Sequence, residues 1–109
     1  MAARVIAPAK VARNEVFQVR ILIGHVMENG FRRTEEGQRI PAKLIRSVFC
    51  QLIDASGEHQ VFRADLSSGV AANPLLEFKL RLQQSGELRF YWSDSDGEKD
   101  EIRHRIDVA

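Results

Sequence analysis

Apolar and polar residues alternate with a period of two through most of the chain. Between Val16 and Ile23, Phe17, Val19, Ile21 and Ile23 fall on one side, and Gln18 and Arg20 on the other. Leu76, Phe78, Leu80 and Leu82 alternate with Glu77, Lys79 and Arg81. Leu88, Phe90 and Trp92 alternate with Arg89, Tyr91 and Ser93, and Ile102, Ile106 and Val108 with Arg103, Arg105 and Asp107. Successive side chains of a strand point to opposite faces, whereas a helix would scatter these residues around its circumference. Each run therefore predicts a half-buried strand. The run from Ser47 to Ile53 is apolar on both sides, with Val48, Cys50 and Leu52 on one face and Phe49 and Ile53 on the other. Gln60 to Ala64 is a shorter candidate carrying Val61 and Phe62. Arg4 to Pro8 predicts a strand at a sheet edge, where proline is tolerated.

Turn chemistry separates these runs at Ser56-Gly57, Ser68-Gly69, Ser85-Gly86 and Asp96-Gly97. Asp96-Gly97 predicts a hairpin in which both residues accept a positive φ at low cost. Asn73-Pro74 marks the start of a strand, with proline at its first position. About seven short strands without a convincing helix predict an all-β fold, an antiparallel sandwich of the immunoglobulin-like kind. Its expected core holds Val19, Ile21, Ile23, Val48, Leu52, Leu76, Phe78, Leu80, Leu88, Phe90, Trp92, Ile102 and Ile106. In such a sandwich the strand near Cys50 lies beside the strand near Tyr91, which places Phe49 and Ile53 next to Tyr91 on an outer face. A sheet face turned to water should be polar, so this cluster is a candidate partner-binding patch. The alternative is that the long segment from Gly24 to Leu44 folds over it. That segment, with three glycines and a proline among charges, exceeds the usual length of a connection and is a candidate for function.

Composition narrows the function classes. The 109 residues correspond to one domain, residues 1–109. Sixteen Lys and Arg against fifteen Asp and Glu leave a net charge of +1, which argues against a nucleic-acid partner, since phosphate binding usually brings a clear basic excess. No run approaches the roughly 18 apolar residues of a membrane span, and the N-terminus has no apolar stretch of the kind an export signal needs. The single cysteine, Cys50, excludes an internal disulfide and zinc sites of two or more cysteines. Its position between Val48 and Leu52 predicts a packed, inert thiol rather than a reactive one.

Other chemistry is weakly supported. His25 and Met27 form a His-x-Met pair that two copper ligands would resemble, but two ligands are too few for a site. His104 shares the parity of Ile102 and Ile106, which predicts a hydrogen-bonded histidine at the core or its rim. Asp94, Asp96, Glu98 and Asp100 crowd one turn, but the calcium-loop pattern fails because Lys99 stands where glycine is needed. No cofactor or metal is expected. Arg32, Arg33, Arg39, Lys43 and Arg46 make the long segment basic and suit it to an oxyanion or an acidic partner.

Three stretches resemble one known family. His25-Val26-Met27-Glu28-Asn29-Gly30-Phe31-Arg32-Arg33, followed by Gly37, Ile40-Pro41 and Ile45, is similar to the central signature of SoxZ proteins. Asn73-Pro74-Leu75-Leu76-Glu77-Phe78 resembles their NP-x-x-x-F segment. Gly86 to Gly97 resembles their closing hairpin, with Phe90, Trp92, Asp94 and Asp96 in place. The resemblance implies an immunoglobulin-like sandwich without catalytic residues, a scaffold subunit of a sulfur-carrier complex in thiosulfate oxidation. The implied partner is SoxY, whose flexible C-terminal arm carries the sulfur on its own cysteine. This chain ends Ile106-Asp107-Val108-Ala109 without such an arm, so Cys50 is not the carrier thiol. The resemblance also implies a periplasmic location through co-export with SoxY and transient docking of SoxAX, SoxB and SoxCD. A sandwich deprived of its partner is expected to pair with itself through the same patch. His25, Met27, Arg32 and Arg33 join Phe49, Ile53 and Tyr91 as the expected partner-binding residues. A carrier serving a quinoprotein-dehydrogenase system is the alternative assignment.

Overall fold

The computed structural model describes residues 2–24, 45–66 and 74–109. Eight strands form among them: β1 (Ala2–Ile6), β2 (Lys10–Val11), β3 (Val16–Gly24), β4 (Ile45–Asp54), β5 (Gly57–Asp65), β6 (Leu75–Arg81), β7 (Gly86–Asp94) and β8 (Lys99–Val108). They make two sheets, one in the order β1-β3-β6 and one in the order β2-β8-β7-β4-β5. All pairings are antiparallel except that of β2 with β8, which is parallel. The fold is the all-β, immunoglobulin-like sandwich that the alternation predicts, with β2 as a short additional strand.

Period-two patterning explains the layering. In β3, Phe17, Val19, Ile21 and Ile23 are buried while every intervening residue is exposed. In β7, Leu88, Phe90 and Trp92 are buried on the inner face. Phe78 of β6 meets Phe90 of β7 across the core at 6.2 Å between ring centroids, and Phe62 of β5 stacks on Phe78 at 4.5 Å. This aromatic chain ties the two sheets together. Val11, Phe17, Ile45, Cys50 and Leu82 also belong to the core, while Leu76, Phe78, Leu80 and Ile102 are only partly buried against it.

The N-terminal segment changes sheets. β1 pairs with β3 in the small sheet, and the chain then crosses at Pro8 so that β2 joins β8 in the large one. His104 secures the crossing through Nε2 and the Pro8 carbonyl at 3.2 Å, which makes it the hydrogen-bonded rim histidine expected of its parity. The Asp107 N–H donates to the Ala9 carbonyl, and the Ala109 N–H to that of Val11.

Two turns differ from their sequence reading. At Asp96-Gly97 only Gly97 takes a positive φ, of 83°. The hairpin is organised instead by buried Asp94, whose Oδ1 accepts the N–H groups of Asp96 and Glu98, each at 2.9 Å. Asp94 thereby performs locally what two left-handed residues would do in a tighter turn. Gly86 is the first residue of β7 rather than a turn residue. A Cβ there would lie 2.8 Å from Leu52 Cδ1 and 3.0 Å from the Ile53 carbonyl oxygen, so glycine lets β7 and β4 approach.

Candidate functional site

The outward positions of the large sheet form a map set by register. Phe49 of β4 lies directly opposite Tyr91 of β7, which itself lies opposite Glu101 of β8. The two rings stack with centroids 5.0 Å apart and planes 21° from parallel. Both residues are partly exposed, and offset-stacked pairs of this kind are worth about 0.5–1.5 kcal/mol beyond their area. The expected neighbourhood of Phe49 and Tyr91 is therefore present. Ile53 is not part of it: it lies opposite Glu87, four residues further along β4, or about 13 Å at ~3.3 Å per residue. The parity of Ile53 was sufficient to turn it outward but not to bring it beside Tyr91, because antiparallel strands run in opposite directions from the Phe49–Tyr91 contact.

A groove of about 300 Å³ lies over this pair, bounded by Ser47, Ser93, Lys99 and Asp100 as well as the two rings. The Ser47 and Ser93 hydroxyls face each other at 3.0 Å and give the groove a polar end. Further along β7, outside the groove, Arg89 donates to Glu87 at 2.6 Å. The Glu87 contact, followed by the one to Tyr91, raises the guanidinium above its usual range. The hydrogen bond from Arg89 holds the Glu87 carboxyl below the usual carboxylate value. The groove thus joins an apolar aromatic floor to a polar rim of Ser47, Ser93, Lys99 and Asp100.

Cys50 is turned the other way. It is fully buried and faces the core, with its S–H directed at the Gln51 carbonyl at 3.8 Å. Burial pushes the thiol up to about 12, only partly offset by a backbone hydrogen bond at Arg89. A thiol held neutral and covered at neutral pH is a poor nucleophile. Among the described residues, no three of His, Cys, Asp and Glu come together as a metal site would require. His59 belongs to the β4–β5 turn, where its Nε2 lies 2.9 Å from Ser56 Oγ and 3.4 Å from Asp54 Oδ1. Ser56 donates to the same Asp54 oxygen from both its N–H and its hydroxyl. This Ser-His-Asp cluster is a turn clasp. One imidazole nitrogen faces both oxygens, so the carboxylate does not orient the ring from its far side as a catalytic relay requires. His25, Met27, Arg32 and Arg33 lie outside the described residues.

One outer surface went unnoticed in the sequence. Val16, Gln18, Arg20 and Leu22 of β3, Arg4 and Ile6 of β1, and Leu75, Glu77, Lys79 and Arg81 of β6 are all exposed. The register places Arg4, Leu22 and Leu75 in one row and Ile6, Arg20 and Glu77 in the next. The alternation shows that each residue points outward. Only the order β1-β3-β6 makes them neighbours.

Comparison with known proteins bears on the fold and on the family separately. A superoxide reductase (neelaredoxin) from Ignicoccus hospitalis is similar over the whole chain and 81% of its own length, with a TM-score of 0.79 and 24% identity. A putative superoxide reductase from Thermotoga maritima matches 98% of this chain and 85% of its own, with a TM-score of 0.73 and 19% identity. The sulfur carrier protein SoxY from Chlorobium limicola f thiosulfatophilum matches 98% of this chain and 75% of its own, with a TM-score of 0.66 and 11% identity. At these identities the likenesses establish a shared sandwich and no shared chemistry. No curated protein sequence matches. The model of the sulphur oxidation protein SoxZ family matches residues 4–105. The match takes in the groove and all of the sandwich but the outer ends of β1 and β8, and the chain belongs to the SoxZ family, as a subunit of the Sox sulfur-oxidation system.

Proposed function

We propose that this chain is the non-catalytic scaffold subunit of a SoxYZ sulfur carrier. It binds SoxY, whose arm cysteine carries the sulfur intermediate of thiosulfate oxidation, and presents the pair to SoxAX, SoxB and SoxCD in the periplasm. The observation that carries this reading is the burial of Cys50. A subunit of a sulfur-oxidation system whose single thiol is closed off between two sheets has nothing on which to carry exposed sulfur, so the sulfur travels on a different molecule. The groove over Phe49 and Tyr91 then receives SoxY. An aromatic pair flanked by satisfied polar groups has the composition of an interface centre, where aromatic residues supply much of the binding energy.

Co-expression with the cognate SoxY tests both parts. The expected result is a stable heterodimer that takes up sulfur from thiosulfate and the Sox enzymes as added mass on SoxY alone. Phe49→Ala with Tyr91→Ala is expected to weaken the heterodimer by a factor of ten or more, since truncating a central aromatic residue commonly costs ~2 kcal/mol. A sulfur adduct on Cys50 with the SoxY arm unmodified would overturn the scaffold role. An undiminished heterodimer in the double variant would move the SoxY contact to another surface.

A further inference from the structure

The outer face of the small sheet has a different electrical character from that of the large sheet. Its ten outward positions carry Arg4, Arg20, Lys79 and Arg81 against a single carboxylate, Glu77. That is a surplus of three positive charges on one face of a chain whose net charge is +1. Glu77 is already engaged: Arg20 Nε lies 3.2 Å from it, Gln18 Nε2 donates to it at 3.0 Å, and Arg20 also donates to Gln18 at 3.1 Å. Arg4, Lys79 and Arg81 form no ion pair with any described residue. Exposed aliphatic surface lies at the Arg4 end of this face, with Lys79 and Arg81 two and three rows further along β3. Leu22 and Leu75 are direct cross-strand partners at 36% and 48% exposure, and Ile6, at 42%, sits diagonally from Leu22. Beside them opens a cleft of about 310 Å³ lined by Ile6, Ala7, Pro8, Gln18 and Arg20.

We propose that this face is a second docking surface, built for a protein partner that presents carboxylates around aliphatic side chains. Leu22, Leu75 and Ile6 supply the apolar contact, the cleft beside Ile6 takes one anchoring side chain, Arg4 receives a carboxylate beside that contact, and Lys79 and Arg81 receive others further along the face. Aliphatic contact with charge complementarity at the border is the composition of a specific protein interface. Nucleic acid is a poor fit, since stable binding neutralises roughly 6–10 phosphates and this face offers only three unpaired cations among its described residues. An anionic bilayer is a poor fit as well, because the apolar residues are few and Glu77 stands among them. The surface lies on the opposite side of the sandwich from the Phe49–Tyr91 groove. Both can be occupied at once, which makes the chain a bridge between two partners.

The test uses the triple variant Arg4→Glu, Lys79→Glu, Arg81→Glu. All three side chains are exposed, and its thermal unfolding checks that the fold is retained. A neutral variant with glutamine at the same positions serves if the charge reversal does not fold. Binding to purified SoxAX, SoxB and SoxCD is measured for wild type and variant at about 0.01 M and about 0.15 M salt, where the screening lengths are ~30 and ~8 Å. The expected result is about tenfold weaker binding of at least one enzyme at low salt, a smaller difference at higher salt, and unchanged pairing with SoxY. Unchanged affinity for all three enzymes overturns the proposal. So does loss of SoxY pairing, which would make this the SoxY face. Binding to vesicles of phosphatidylglycerol and phosphatidylcholine that disappears in the variant, with enzyme binding intact, overturns it in favour of a membrane. If wild type itself fails to pair with SoxY, the scaffold reading fails, while the enzyme measurements on the chain alone still decide this proposal.

Discussion

The two outer faces of the sandwich are built from the same alternation and end with different electrostatics, one largely paired and one with a cationic surplus. On the large sheet four of the five arginines are matched by carboxylates of their own strands: Arg63 with Asp65 at 3.3 Å, Arg89 with Glu87 at 2.6 Å, Arg103 with Glu101 at 3.6 Å and Arg105 with Asp107 at 3.1 Å. On the small sheet only Arg20 is matched, and three cations are left to the solvent. A face whose charges are already paired exerts little field beyond itself. What it offers a partner is shape, here the stacked Phe49 and Tyr91. A face with unpaired charge attracts a complementary partner from a distance, and its contribution is to encounter rate and orientation. The overall charge of +1 conceals this difference because it averages over both sides.

The comparison supposes that both faces are walls of one closed core, and the largest effect comes from breaking that core. Phe90 is fully buried and meets Phe78 of the opposite sheet. Phe90→Ala is expected to cost ~3–5 kcal/mol, read from the urea midpoint of unfolding, and to disturb both faces together. A loss confined to one face, with the other still binding its partner at full stability, would show that the two sheets do not act as one unit.

A smaller effect tests whether the core is closed to water. Cys50 in the folded chain titrates at about 12, against 9.0 for a free thiol. The folded value is raised, so the neutral thiol's contribution to stability is complete below about pH 9 and is lost as pH rises toward 12. At pH 11 wild type should have lost ~2–3 kcal/mol relative to a Cys50→Ala variant, each taken against its own value at pH 7. The difference between the two curves isolates the thiol from the lysines and the tyrosine, which titrate in both. Parallel curves would mean that water reaches Cys50, and with it the argument that this thiol cannot carry sulfur would fall.

Smaller again is the coupling within the aromatic pair. A double-mutant cycle on Phe49→Ala and Tyr91→Ala should return ~0.5–1.5 kcal/mol of stability beyond additivity. A value near zero would leave the large face without the rigid floor that distinguishes it from the small one.

How much of this was legible in the sequence follows from what a period of two contains. It gives facing within a strand, so the inner residues of β3 and β7, the inward thiol of Cys50 and the rim position of His104 could all be read. It does not give register. Phe49 and Tyr91 were placed together because neighbouring strands of such a sandwich pair in a known order, but Ile53 required the pairing itself, which sets it opposite Glu87. The basic face of the small sheet was out of reach for the same reason. Arg4 is far in sequence from Lys79 and Arg81 and comes onto the same face only because β1 and β6 both pair with β3, Arg4 towards one end of it and the other two towards the other. Gly86 reads as turn chemistry by residue type, whereas the close approach of β7 to β4 decides its place.

The smallest expected effect separates the two faces by acid. Glu87 has its carboxyl held below the usual value by the hydrogen bond from Arg89, with the charges of Arg89, Arg103 and Arg105 adding to it. The folded value is depressed, so the stabilisation is present above the ordinary glutamate pKa of 4.5 and is lost as pH falls through the folded value. Glu87→Gln should therefore flatten the decline in melting temperature as pH is lowered from about 6 to about 3, with a modest change at neutral pH because the pair is partly exposed. Arg4→Gln on the small face should leave that decline unaltered, since Arg4 pairs with no carboxylate of the described residues. If Arg4→Gln flattened the acid decline as much as Glu87→Gln, the small face would hold a charge partner of its own. Its cations would then not be free to receive one from another protein.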